Sequence, residues 1–248
     1  TLVKNISYPK NLTNVNGTLY FSAAEGISGQ ELWRSDGTTA GTVLVKNIGP
    51  NSIETGPSAL TNANGTLYFA ISHSNVNGTP SFNPATELWK SDGTDSGTVM
   101  VMEFNSGPYA PPQSLTNANG VLMFTANDGR NGVELWQSDG STAGTTLVKD
   151  INARTLASYP SNMMDVNGTL FFAANDGIHG SELWKSDGTA AGTTLVKDIY
   201  PGSGWIGNWY YGYSYQVNSS SPSNLTNVNG TLFFTANDGR GGWTLWKS

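Results

Sequence analysis

Five Leu-Trp pairs pace this chain and set what it can fold into. Trp33, Trp89, Trp136, Trp184 and Trp246 each follow a leucine, at separations of 56, 47, 48 and 62 residues. Asn-Gly pairs beginning at Asn16, Asn64, Asn119, Asn167 and Asn229 keep almost the same step, at 48, 55, 48 and 62. Self-similarity on such a period means copies of one supersecondary unit that bury their apolar faces against one another. The 248 residues therefore resolve into five units of about 48 residues, two of them carrying insertions.

Each unit reads as four short strands. The first is typified by SNLTNV (Ser223 to Val228), and an Asn-Gly turn, in which both central residues tolerate positive φ, leads into TLFFTA (Thr231 to Ala236). A polar loop such as NDGIHGS precedes ELWKS (Glu182 to Ser186), and DGTAAG connects that strand to TTLVKDI (Thr193 to Ile199). In the second strand Leu170 and Phe172 point one way while Phe171 and Ala173 point the other. Apolar residues on both faces place such a sheet between neighbours. Four antiparallel strands repeated radially are the blade of a β-propeller. The expected fold is all-β, a five-bladed β-propeller forming a single domain over residues 1–248. The chain opens on TLVKNI (Thr1 to Ile6), a fourth-strand sequence, and stops on LWKS, a third strand. The N-terminal strand, residues 1–6, is expected to complete blade 5 and close the ring.

Composition narrows the function classes. Only 12% of residues are charged and the formal net charge is −6, which disfavours an electrostatic grip on nucleic acid. No apolar run approaches the roughly 18 residues of a membrane span, so no membrane insertion is expected. With no cysteine in the chain, disulfide scaffolds and thiolate metal sites are excluded. There is no initiator Met or signal peptide, so the chain reads as mature, trimmed or excised, part of a larger chain or assembly.

The repeated Trp-x-Ser-Asp-Gly-Thr segment has two readings. Asp36, Asp92, Asp139 and Asp187 either bind a metal or sugar, or accept hydrogen bonds from the amides that follow them in a tight turn. The turn is preferred, because the motif joins the third and fourth strands and recurs nearly unchanged. Trp33, Trp89, Trp136, Trp184 and Trp246 are then packing residues, each removing about 150–250 Å² from water. ELWRSDGTTAGT (Glu31 to Thr42), ELWKSDGTDSGT (Glu87 to Thr98), ELWQSDGSTAGT (Glu134 to Thr145) and ELWKSDGTAAGT (Glu182 to Thr193) resemble the ELWxxDGT repeat family of bacterial proteins, chiefly secreted or surface-associated. Ser141 replaces the threonine once, and the fifth copy has Thr244 for the glutamate and ends before the aspartate. The resemblance covers essentially the whole chain and implies a propeller and an extracellular or cell-surface location, without implying an activity. The motif is also similar to the Asp-box turn of sialidase-type propellers, which is structural there.

Sites are expected where the repeat is broken. One insertion runs from Ile71 to Thr86 and the other from Tyr200 to Ser223. The second holds Trp205, Trp209, Tyr210, Tyr211, Tyr213 and Tyr215, whose broad apolar faces and polar tips suit a sugar ring or a protein partner. These six are the ligand-binding candidates; the competing reading is a loop that buries its own aromatics. Asp128, Asp176 and Asp238, in Asn-Asp-Gly loops, are candidate Ca²⁺ ligands. Calcium wants 6–8 oxygens and each loop supplies few, so a turn role is preferred and no cofactor is expected. No catalytic residue is assigned: His73 and His179 read as surface residues, and the acidic residues fall mostly in repeated slots. The expected function is a non-catalytic binding or assembly module with a glycan or protein partner. The alternatives are a glycoside-active propeller enzyme or a structural unit of a surface layer or fibre.

Overall fold

The computed structural model describes residues 1–24, 29–48, 56–72, 75–76, 79–80, 86–104, 111–153, 157–208 and 212–248. Among them every regular element is a β-strand, and no helix is long and apolar enough to cross a membrane. The chain divides into two compact units, Thr1–Arg130 with Gln137–Thr146, and Asn131–Trp136 with Leu147–Ser248.

In the first unit β1 (Ser7–Val15), β2 (Thr18–Ala24), β3 (Gln30–Ser35) and β4 (Val43–Lys46) form a four-stranded antiparallel sheet in chain order. The second sheet repeats this arrangement with an interruption. It is built from β5 (Ser58–Ala63) and β6 (Thr66–Ser72), then, after the small ladder of β7 (Asn75–Val76) with β8 (Thr79–Pro80), from β9 (Thr86–Ser91) and β10 (Val99–Phe104). A third sheet, of β11 (Gln113–Ala118), β12 (Val121–Asn127), β13 (Val133–Ser138) and β14 (Thr146–Lys149), supplies residues to each unit. In the second unit β15 (Ser161–Val166), β16 (Thr169–Asn175), β17 (Ser181–Ser186) and β18 (Thr194–Lys197) make a four-stranded sheet. It is followed by the hairpin of β19 (Ser203–Asn208) with β20 (Gly212–Val217), and by a three-stranded sheet of β21 (Ser223–Val228), β22 (Thr231–Asn237) and β23 (Trp243–Lys247).

Local sequence explains this regularity. Asn16, Asn64, Asn119, Asn167 and Asn229 have φ of 50–52° and each is followed by a glycine at 79–84°, as a two-residue hairpin turn demands. Every first strand also carries a bulge that the sequence reading missed. Asn11, Ala59, Ser114, Asn162 and Asn224 sit there at φ of 52–54°, where the register with the second strand shifts.

The second strand of each sheet is the core. Leu67, Tyr68, Phe69, Ala70 and Ile71 are buried in succession, so β6 is covered on both faces. Leu67, Phe69 and Ile71 cluster with Val15, Tyr20, Leu32 and Val45 of the first sheet. In the second unit Leu232, Phe234 and Ala236 cluster with Val166, Leu183 and Ile199. Each such leucine or phenylalanine contributes about 1.5–3 kcal/mol by leaving water. Thr1–Ile6 precedes β1 outside any strand, packed against the first sheet. There the Lys4 ammonium donates to the carbonyl of Thr42 at 2.8 Å and stands 5.3 Å from the Trp33 ring centroid.

Candidate functional site

The four repeated aspartates are consumed by their own turns. Oδ1 of Asp36 accepts the amide and the hydroxyl of Thr38, both at 2.8 Å, and the Thr38 hydroxyl accepts the Gly41 amide at 2.9 Å. Asp92 with Thr94, Asp139 with Ser141 and Asp187 with Thr189 repeat the pattern. Those donors hold all four carboxyls below their ordinary value. Trp33, Trp136 and Trp184 are buried, while Trp89 and Trp246 are half-buried.

The Asn-Asp-Gly loops are likewise turns. Oδ1 of Asp128 accepts the Arg130 amide at 2.9 Å and Oδ1 of Asp238 the Arg240 amide at 3.0 Å. Among the described residues no group of three or more His, Asp or Glu side chains is placed to hold a metal ion. Of the aromatic candidates, Trp205, Tyr213 and Tyr215 belong to the β19–β20 hairpin, in which Trp205 pairs with Tyr215 and Gly207 with Tyr213. Their side chains, and Trp209, Tyr210 and Tyr211 altogether, lie outside the described residues.

The Asn-Asp-Gly loop of the fourth repeat differs from the other two. Oδ1 of Asp176 accepts the amides of Ile178 and His179, both at 2.8 Å, and its Oδ2 lies 2.7 Å from Nδ1 of His179. Burial pushes the Asp176 carboxyl up, but the His179 amide and ring and the Ile178 amide outweigh it and hold the group below its ordinary value. The bond to Asp176 raises the His179 imidazole above its ordinary value, with the charges of Asp198 and Glu182 adding to the effect. One signal for this pair is legible in the sequence: where this loop has Ile178-His179, the loop of the third repeat has Arg130-Asn131 and that of the fifth Arg240-Gly241.

Two cavities compare instructively. In the first unit a space of about 450 Å³ is walled by Val3, Ile6, Leu12, Leu19 and Phe21, with Lys4 and Asp36 as its charged residues. In the second unit a cleft of about 530 Å³ opens between the segment after β18 and the β22–β23 loop. It brings together Lys197, Asp198, Tyr200, Asp238, Arg240 and Trp246. Gly239 permits this closeness: its φ is +78°, and a side chain there would collide with the Tyr200 ring. The Lys197 ammonium stands 5.5 Å from the Trp246 ring centroid. Oδ1 of Asp198 is buried without a hydrogen-bond partner, so one acceptor in the cleft wall is unsatisfied. Two carboxylates, an arginine, a phenol and an indole in one recess are far richer chemistry than the apolar cavity offers.

Sequence reasoning passed over a further group, the glutamates of Glu-Leu-Trp. Glu134 is buried and its carboxylate accepts the amides of Ile151 (3.0 Å) and Ser158 (2.7 Å) and the Ser158 hydroxyl. Burial pushes Glu134 up to about 6 despite those donors. Glu182 repeats the arrangement with Ile199 and Ser220, and is raised for the same reason. Both are sealed from solvent and hold the connections between strands.

No family model matches the chain, and no curated relative matches it. The fold is similar to solved hydrolases. A puromycin hydrolase complexed with PGG aligns at a TM-score of 0.56 and 13% identity, over 99% of this chain and 37% of that one. A puromycin-hydrolyzing peptidase of Mycobacterium tuberculosis aligns at 0.54 and 14%, over 98% and 36%. The chain thus spans little more than a third of the length of these structures. A GH43 endo-arabinanase from Bacillus licheniformis aligns at 0.36 and 16%, over 100% of this chain and 95% of that one. The likeness defines a β-propeller-like all-β fold. It also corrects the expectation of a non-catalytic binding or assembly module, since the structures matched at a TM-score above 0.5 are hydrolases.

Proposed function

We propose that this chain is a glycoside-active propeller whose cleft, in the second unit, is built on Asp198 and Asp238. The observation that carries the proposal is the meeting of these two carboxylates with Tyr200, Arg240 and Trp246 around one recess of about 530 Å³. Hydrolysis of a glycosidic bond generally needs one carboxyl group as acid and a second as base or nucleophile. Aromatic rings supply the flat apolar faces that sugars stack on. Each aspartate recurs elsewhere in the chain, Asp198 as Asp150 and Asp238 as Asp128 and Asp176, and the Lys197–Trp246 contact recurs as Lys149–Trp184; the combination with Tyr200 and Arg240 is particular to this cleft. Tyr200 stands where the third repeat has Asn152.

The partner in this proposal is a glycan, with no resident cofactor, and the setting is extracellular, as for the ELWxxDGT repeat family to which we assign the chain. The sheets are then the blades of a five-bladed ring in which Thr1–Ile6 supplies a fourth strand beside β23. Two features support that closure. Thr1–Lys4 has the Thr-Leu-Val-Lys sequence of β14 and β18, and Lys4 meets Trp33 and the Thr42 carbonyl as Lys149 of β14 meets Trp184 and the Thr193 carbonyl.

Reducing-sugar release from a panel of arabinans, xylans and sialylated glycans tests the activity. Asp198→Asn and Asp238→Asn are each expected to lower kcat by about 10²-fold or more on the responding glycan. A folded parent chain that hydrolyses none of them, or two variants as active as the parent, would overturn the proposal.

A further inference from the structure

We propose that Asp176 and His179 form a proton-transfer dyad, in which His179 accepts a proton at Nε2 and Asp176 is the positioning residue that holds its ring through Nδ1. The geometry is specific. Oδ2 of Asp176 lies 2.7 Å from Nδ1, while the two amides that follow fix Oδ1, so the carboxylate cannot swing away from the ring. The Asp176 side chain is 11% exposed and that of His179 is 38% exposed, so the anchor is covered and the ring is presented to solvent.

The loop is framed on both sides. Gly177 and Gly180 adopt φ of +74° and +72°, and a side chain at either would strike Asn152 or the Asn218 carbonyl. The Ser181 amide donates to the Ser219 hydroxyl at 3.0 Å and fastens the end of the loop. A ring held in one tautomer by a carboxylate at Nδ1 keeps its Nε2 lone pair outward, which is the arrangement a general base needs. The charged groups that bear on the ring are Asp176, Asp198 after β18 and Glu182 on β17, all acidic, and they favour the imidazolium formed when the proton arrives. In the step itself the O–H bond of a water or sugar hydroxyl breaks, its proton forms the Nε2–H bond, and the electron pair of the broken bond stays on the oxygen.

Asp198, whose charge bears on the His179 ring, also lines the cleft, and links the dyad to it. As part of glycan turnover the dyad rests on the cleft proposal; its protonation chemistry does not. Long-range ¹H–¹⁵N NMR of the His73→Asn chain, which leaves His179 as the only histidine, reads both tautomer and titration without turnover. The neutral ring is expected to carry its proton on Nδ1, and Asp176→Asn is expected to lower the titration midpoint by about one pH unit. A proton on Nε2, or a midpoint that does not move in Asp176→Asn, would overturn the dyad. On the glycan that responds, His179→Gln should cut kcat by about 10²-fold with KM retained, and Asp176→Asn should move the acid limb of the pH profile with the NMR midpoint. An unchanged kcat in His179→Gln overturns the role of the dyad in turnover. A parent chain inactive on every glycan overturns the cleft proposal alone, because the tautomer and the titration are still read.

Discussion

The hydroxyl of Ser158 donates to the carboxylate of Glu134 at 2.5 Å, and both residues are buried. With the amides of Ile151 and Ser158 on the same carboxylate, Glu134 ties its own strand to the chain leaving β14 and to the chain entering β15. Ser158→Ala removes one donor and leaves the charge sealed in. A buried group deprived of a partner costs about 1–3 kcal/mol. The urea midpoint of Ser158→Ala at pH 7 should fall accordingly, and an unshifted midpoint would show that the amides alone satisfy the carboxylate.

How much of this was legible in the sequence depends on which interactions are local. The strands, the Asn-Gly turns and the self-bonded Asp-Gly-Thr segments were readable, since each is settled within a few residues by backbone sterics and a side chain at hand. Glu134 and Ser158 are 24 residues apart, and Glu182 and Ser220 are 38 apart. Nothing local announces such pairs; the only trace is a serine three residues before β15 and before β21. The cleft was missed for a related reason. Lys197–Tyr200 and Asp238–Arg240 are separated by a hairpin and most of a sheet, so only the fold brings Asp198 and Asp238 into one wall. The dyad was the nearest miss, because Asp176 and His179 are three residues apart and were judged separately, one as a turn residue and one as surface.

The first-strand bulge offers a stabilising substitution. Ala59 sits at φ +52°, a conformation that costs an ordinary residue roughly 1–2 kcal/mol and asparagine less. At the same place Asn11 and Asn162 donate from Nδ2 to the carbonyls of Pro57 and Pro222, the prolines that lead into the next first strand. Ala59→Asn is expected to raise stability by about 0.5–1 kcal/mol, read as a higher thermal midpoint. A fall would mean that the bulge there tolerates no larger side chain.

The closing glycine of the repeated motif is a steric requirement rather than a turn requirement. A Cβ on Gly41, Gly97, Gly144 or Gly192 would collide with the carboxylate of Asp36, Asp92, Asp139 or Asp187. In Gly192→Ala the Asp187 side chain must leave the Thr189 amide, which it accepts at 2.9 Å. The expected loss of stability lies within the roughly 0.5–3 kcal/mol of ordinary point changes. In an amide-exchange experiment protection should fall first at Thr189, and unchanged protection there would count against the steric account.

Acidity should act on the chain in two opposed ways. Glu134 titrates at about 6 in the fold against 4.5 when unfolded, so folding favours its protonated form. Its contribution is fully present below about pH 4.5 and is lost as pH rises through 6; Glu182, also raised, acts in the same sense. The turn aspartates are depressed below 3.8, so theirs is present above that value and lost as pH falls through their folded pKa. The chain should therefore tolerate mild acid better than its acidic composition suggests, and lose the stability of its turns only below pH 3.8. Subtracting the unfolding free energy of Glu134→Gln from that of the parent cancels every group except Glu134. Followed by urea titration from pH 4 to 7, that difference should decline between pH 4.5 and 6 and then level off. A difference that stays flat across the range would show that the carboxylate is held as comfortably in the fold as in water.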